Sequence, residues 1–195
     1  MGFKIIQALM RVFLRLCFRY RIEGTENIPS EGGAIVALNH RSYWDVVFAG
    51  ACVDRPLRYM AKSTLFDNPV FGWLITKLGA FPVERGKGDV GAIRSALKIL
   101  KDGNLMLIFP EGKRVRNGER VKAKSGVALI ASMANVPIVP ICIDGEYKFF
   151  GKIKFKIAPP IDLNAKYGRK LTSAQLQEGA DEALNTIYSM EESNG

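Results

Sequence analysis

The first twenty residues repeat apolar and basic positions with a helical period. At about 100° per residue, Lys4, Arg11, Arg15 and Arg19 fall in one narrow arc, while Ile5, Leu9, Phe13, Leu16 and their apolar neighbours cover the broad remainder. No acidic residue precedes Glu23. A helix that is wide and greasy on one side and basic on the other suits the plane of an anionic bilayer. It does not suit spanning one, because three arginines interrupt the stretch of about 20 residues that hydrocarbon thickness requires. The plainer alternative is a helix packed on the domain with its arginines in water. The lack of acids and the abundance of Phe favour the membrane surface.

Beyond this helix, the pattern switches between short apolar runs and helical periods. Tyr20–Glu23 is extended, and Gly24, Pro29 and Gly32-Gly33 mark turns. Ala34–Leu38 is an apolar run that ends at Asn39-His40, which reads as a buried strand delivering His40 at its carboxyl end. Further strands are expected at Leu57–Ala61, Ala80–Val83, Leu105–Phe109 and Ile138–Ile143. Ile153–Ala158, with Lys154 and Lys156 pointing outward, reads as an edge strand. Helices are expected over Trp44–Cys52, Val70–Leu78, Asp89–Lys101 (with Asp89 as N-cap), Ser125–Asn135 and Ser173–Met190. The alternation predicts an α/β fold: a mostly parallel central sheet covered by helices on both faces, preceded by the N-terminal amphipathic helix. The organisation is then residues 1–20 as a membrane-surface helix and 21–195 as one domain.

Length and composition agree with one domain and a sizeable core: 195 residues, 48% of them hydrophobic. A net charge of +9 calls for an anionic partner: a phospholipid surface, nucleic acid, a phosphate ester or an acidic protein. Nucleic acid is not expected, since no recognised module is present and the basic residues are spread rather than striped with aromatics. Cys17, Cys52 and Cys142 are odd in number and unclustered, which suits reduced thiols in a cytosolic compartment and neither a disulfide frame nor a zinc site.

His40 is the one histidine of the chain, followed five positions on by Asp45. A tight turn would bring that carboxylate back onto the imidazole, fixing its tautomer and stabilising the imidazolium. The same two residues would also suit a buried, satisfied histidine and a helix cap. Three expected strands end in polar residues, at His40, at Glu84-Arg85 and at Glu111-Gly112. In open α/β sheets, sites form at the carboxyl ends of strands, which favours chemistry at that edge.

Four blocks in order then carry a resemblance. Asn39-His40 with Asp45, Gly79-Ala80-Phe81-Pro82-Val83-Glu84-Arg85, Phe109-Pro110-Glu111-Gly112-Lys113-Arg114 and Val136-Pro137-Ile138-Val139-Pro140 resemble the motifs of the 1-acylglycerol-3-phosphate acyltransferases, within the glycerolipid acyltransferase group. The resemblance implies transfer of a fatty acyl group from a thioester to the free hydroxyl of 1-acylglycerol 3-phosphate, giving phosphatidic acid, with His40 as base and Asp45 holding it. It also implies that Arg85, Lys62 and Arg114 contact the acceptor's phosphate, and that Glu111 and Gly112 hold its glycerol region. Lys113 departs from the family pattern, which has a hydroxyl residue there. The proline-rich block reads as a rigid entry into a buried strand, and Phe66, Phe71 and Trp73 as core packing before an acyl channel. A serine route lacks a G-x-S-x-G elbow around Ser42, and no second histidine is present to activate a cysteine.

No cofactor is expected, and the sequence shows no cluster of metal-ligating residues. The family further implies acyl-CoA or acyl-acyl carrier protein as co-substrate. It places the chain on the cytoplasmic face of the cell membrane as a peripheral or monotopic protein. The same chemistry on another acceptor (a different lysophospholipid, glycerol 3-phosphate or an aminolipid) is the main alternative. A non-catalytic anionic-lipid-binding protein is the other.

Overall fold

The computed structural model of the chain describes residues 2–83, 90–115 and 119–191. Among these, seven strands form one sheet: β1 (Arg19–Glu23), β2 (Ala34–Leu38), β3 (Leu57–Lys62), β4 (Ala80–Val83), β5 (Leu105–Ile108), β6 (Ile138–Gly145) and β7 (Lys152–Ile157). Their order across the sheet is β1-β7-β6-β2-β5-β3-β4. Every pairing is parallel except β6 with β7. β7 and β1 therefore run against the other five.

Helices cover both faces, as the alternating pattern predicts. On one face, α1 (Gly2–Cys17) and α2 (Trp44–Cys52) pack over Val36, Leu38, Leu107, Ile141 and Phe155. On the other, α4 (Val90–Lys101), α5 (Gly126–Ala134) and α7 (Ser173–Ser189) cover Ile35, Ala37, Met106 and Ile138. Successive residues of β2 enter opposite cores, and all five are buried. A strand covered on both sides has no polar position to show, hence its continuous apolar run. Two helices remain: α3 (Pro69–Lys77) between β3 and β4, and the short α6 (Leu163–Tyr167), started by Asp162 accepting from the amides of Asn164 and Ala165.

Three expectations change. Ile153–Ala158 does not lie at an edge, because β1 pairs with it in register from Arg19–Lys152 to Glu23–Lys156. One face of β7 is buried and the other half-exposed, so its alternation marks a one-sided strand and says nothing about lateral neighbours. Lys156 turns inward along the sheet, donating to the Met190 carbonyl at 2.8 Å. The basic arc of α1 is also not wholly solvated. Arg11 donates to the Ala51 carbonyl and pairs with Asp54, both at 2.6 Å, and Gln7 donates to the carbonyls of Gly50 and Val53 at 3.1 and 2.7 Å. These two side chains satisfy the open carbonyls at the end of α2. With Leu14 buried beside them, Ile5, Leu9, Val12, Phe13 and Leu16 are left exposed on the outside. The expected helix cap Asp89 lies outside the described residues.

Truncating a large side chain of the core under α1 and α2 should be costly. Phe155→Ala, at a fully buried site between β1 and β6, is expected to destabilise the fold by about 3–5 kcal/mol, read as a lowered urea midpoint.

Candidate active site

The chain leaves β2 at Leu38 and turns sharply into α2, and the residues of that turn bond one another. Asn39 is buried and pairs with β6 as a strand would: its side-chain amide donates to the Ile143 carbonyl at 3.0 Å, and its oxygen accepts the Ile143 amide at 2.9 Å. The turn is thereby pinned to the neighbouring strand, and His40 is delivered at the carboxyl edge of the sheet. Asp45, in the first turn of α2, reaches back. Its Oδ2 accepts the main-chain amides of Arg41 and Ser42, each at 2.7 Å, and lies 3.0 Å from His40 Nδ1. The imidazole-partner reading of Asp45 thus holds and the helix-cap reading does not: Tyr43 occupies the N-cap position of α2 with no side-chain cap, and Asp45, inside the first turn, bonds the amides of the turn before it.

Asp45 is 1% exposed and His40 15%. An ionised carboxylate only accepts, so Nδ1 carries the proton and Nε2 is the nitrogen free to take one. The imidazole stacks on Phe109, with centroids 3.8 Å apart and planes within 18°. One face of the ring is walled and its rotation is limited.

The loop after β5 closes on the backbone of the same histidine. Glu111 Oε2 accepts the His40 amide at 2.6 Å, and the Val115 amide donates to the His40 carbonyl at 2.8 Å. The other oxygen of Glu111 accepts from the Tyr188 hydroxyl of α7 at 3.1 Å. Glu111 is 3% exposed, and both its oxygens are engaged by protein donors. Its geometry serves the main chain of His40; the role at the acceptor's glycerol is what the family resemblance implies. Burial pushes its carboxyl up to about 7, against the pull of the two donors. Gly112 follows with φ +72, in the left-handed region that a side chain strains. The backbone turn accounts for this glycine.

Lys62 is exposed at the carboxyl end of β3, opposite Val83 of β4, on the same sheet edge as His40. Arg114 lies over the ring of Tyr43, 4.2 Å from its centroid, which holds a cation beside the His40 turn. Lys113 instead faces Glu119 at 3.6 Å. Arg85 lies outside the described residues, two positions beyond Val83. Sequence reasoning missed Phe109 as the stacking partner of His40, and it missed Tyr147 and Tyr188 altogether. Tyr147 donates to Asp45 Oδ1 at 2.5 Å. A thiol nucleophile is disfavoured here, because burial pushes the thiols of Cys52 and Cys142 up to about 12.

An apolar cavity of about 500 Å³ opens between α1, α2, α3 and the sheet, lined by Ile6, Val46, Val47, Tyr59, Trp73 and Leu107 among others. Val46 and Val47 belong to the turn that carries Asp45. Trp73 is 63% exposed and borders this space, and Phe71 is also exposed. Of the three aromatics expected in the core, only Phe66 packs there, against Ala61, Ile75 and Ala80.

The sequence model of the acyltransferase family matches residues 19–144. The chain is 32% identical over 189 residues to the 1-acyl-sn-glycerol-3-phosphate acyltransferase of Bacillus subtilis (strain 168), covering 94% of this chain and 93% of that protein. It is 34% identical over 166 residues to the enzyme of the same name from Streptococcus pneumoniae, covering 84% of this chain and 60% of that protein. Among solved structures, the 1-acyl-sn-glycerophosphate acyltransferase of Thermotoga maritima superposes with a TM-score of 0.76 at 28% identity, covering 96% of this chain and 79% of the other.

The raised carboxyl of Glu111 makes a pH prediction. A carboxyl held up to about 7 when folded, against an ordinary 4.5, binds more protons in the folded than in the unfolded state between those values. Stability from this group is full below about 4.5 and is lost as pH rises through about 7, by an amount on the order of 3 kcal/mol. Glu111→Gln keeps an acceptor for the His40 amide, and its urea midpoint is expected to change less between pH 5 and pH 8 than that of the wild type.

Proposed function

This chain belongs to the 1-acylglycerol-3-phosphate acyltransferases, within the wider acyltransferase family, and on that footing we propose that it acylates the free hydroxyl of 1-acylglycerol 3-phosphate from a thioester donor. The observation that supports this best is His40 at a strand end, with Nδ1 held by a buried carboxylate and Nε2 free. In the proposed step, the acceptor's oxygen attacks the thioester carbonyl as its proton passes to Nε2. The C–S bond then breaks, and the departing sulfur takes that proton back. Phosphatidic acid and a free thiol result, with no acyl-enzyme. Asp45 stabilises the imidazolium while the proton resides there.

Lys62 and Arg114 carry the acceptor's phosphate in this reading, joined by Arg85. Glu111 acts on His40's main chain and Gly112 makes the turn that presents Arg114. The cavity is of the size of ligand pockets, about 300–1,000 Å³, and its apolar lining suits an acyl chain ending at the Asp45 turn. Both donors, acyl-CoA and acyl carrier protein, are anionic and suit the +9 charge.

Residues 1–20 act as the membrane-surface element and 21–195 as the acyltransferase domain, placed on the cytoplasmic face of the cell membrane. Among the described residues, no helix is long and apolar enough to cross a membrane. The exposed Ile5, Leu9, Val12 and Leu16 suit burial in the headgroup boundary. Phe149 and Phe150, exposed and packed edge to face on each other, adjoin the end of this helix, because the Phe150 amide donates to the Cys17 carbonyl at 2.7 Å. Lys148 and Lys152 flank them, as an anionic surface would favour.

Purified His40→Ala is expected to lose about 10²–10⁴-fold in turnover while its circular dichroism stays native; near-wild-type turnover would overturn the assignment of the base. Arg114→Ala is expected to raise the acceptor's KM and leave the donor's unchanged, and an unmoved acceptor KM would point to an acceptor without a phosphate. For docking, Leu9→Asp with Leu16→Asp is expected to cut co-sedimentation with phosphatidylglycerol vesicles by 10-fold or more, taking each lost apolar side chain at about 1.5–3 kcal/mol. Binding as tight as wild type would count against α1 as the docking face.

A further inference from the structure

We propose that Tyr147 is a positioning residue for the His40–Asp45 pair: its hydroxyl fixes the Asp45 carboxylate so that Oδ2 alone serves the imidazole. This inference rests on the reading of His40 as the base. Tyr147 belongs to none of the four motif blocks and lies 102 residues from Asp45 in sequence.

The two oxygens of Asp45 are divided between two tasks. Oδ2 takes the amides of Arg41 and Ser42 and faces His40 Nδ1. Oδ1 points the other way, inside the protein, where an acceptor without a donor costs free energy. The Tyr147 hydroxyl fills that position at 2.5 Å, the short separation of a hydroxyl bonded to an ionised oxygen. The phenol ring is wedged against Phe18 and Phe48, with centroids 6.2 and 5.7 Å away, so the hydroxyl has little freedom. Burial and the neighbouring Asp45 charge raise the phenol's pKa, and it stays a donor throughout the working range.

The fold explains how a distant loop arrives here. β6 ends at the sheet edge where β2 and β5 end, and β7 starts there because it runs antiparallel to β6. The connecting residues, 146–151, therefore lie on the His40 edge. Tyr147 turns inward from them while Phe149 and Phe150 turn outward.

A donor on Oδ1 does two things. It stops the carboxylate from rotating about its bond to Cβ, and it draws charge away from Oδ2. The second effect weakens the hold on the imidazolium, so that the proton taken from the acceptor can be handed on to the leaving sulfur. Among the described residues, the titratable groups around the pair include Arg41 in the same turn, Glu111 after β5 with Tyr188 and Glu191 behind it, and Cys52 at the end of α2. The substitution below leaves all of them in place.

Tyr147→Phe keeps the ring and removes only the hydroxyl. Turnover is measured with 1-acylglycerol 3-phosphate and a saturating acyl thioester that the wild type accepts. A kcat lowered on the order of 10-fold is expected, part of the ~10²–10⁴-fold that a positioned base contributes. The acceptor's KM stays unchanged, and the acidic limb of the kcat/KM profile moves to higher pH as Asp45 holds the imidazolium more tightly. Phe18→Leu is the packing control: it loosens the seat of the ring, retains the hydroxyl and leaves that limb in place. A folded Tyr147→Phe with wild-type kcat and an unmoved limb overturns the proposal. A lowered kcat with an unmoved limb, as in the control, overturns it too, since that is what packing alone would give. The base assignment fails separately, only if His40→Ala remains active.

Discussion

A buried carboxylate bonded to a backbone amide underlies the rest of this site. Glu111 takes the His40 amide at 2.6 Å, and with its second oxygen it takes the Tyr188 hydroxyl. Three elements meet at one side chain: the end of β2, the loop after β5 and the last turn of α7. The fold holds this carboxyl far above its ordinary range, so keeping it charged is unfavourable. What it supplies is definition. A strand end is a place where a main-chain amide has lost its ladder partner, and a histidine there would otherwise be free to swing. The Val115 amide on the His40 carbonyl completes the grip, leaving only the imidazole to act.

The second organising feature is the reversal at β6–β7. In an all-parallel sheet, the loop after β6 would run back beneath the sheet through a helix. Here it turns at once, and with it come the start of β1 and the end of α1, since β1 lies parallel to β7. The edge that carries His40 therefore also carries the terminus of the amphipathic helix and the Phe149-Phe150 tip. In the proposed function, the lipid-facing parts and the chemistry share one edge for topological reasons. Gln7 and Arg11 strengthen the union by satisfying the end of α2 from α1.

Much of this was legible in the sequence, and the failures have physical causes. Ala34–Leu38 comes out with its full bounds because a strand covered on both faces must be apolar throughout, and Trp44–Cys52 because a helix must follow its period. Ala80–Val83, an edge strand with Pro82 exposed, is read from its short apolar run alone. The His40–Asp45 contact was legible because five residues of turn allow few paths. The lateral place of β7 was not, since alternation reports which faces are covered and not who lies alongside. The helical wheel of α1 shows that two faces differ, but cannot tell that Arg11 would find carbonyls at the end of α2. Tyr188 and Tyr147 reach the site across 77 and 102 residues, and no local period announces such a contact. Trp73 read as core because aromatic residues in a short helix are usually covered; its exposure follows from the cavity it borders.

The stacking of His40 on Phe109 has a spectroscopic consequence. This chain contributes a single imidazole to its proton NMR spectrum, and that imidazole lies flat against a phenyl ring at 3.8 Å. Its ring protons sit in the shielding cone of Phe109 and should resonate upfield of those of a histidine in a disordered chain. One pair of lines, assigned without ambiguity, then reports both the ionisation of the base and the integrity of its stack. The protein carries a built-in probe of its own reacting centre.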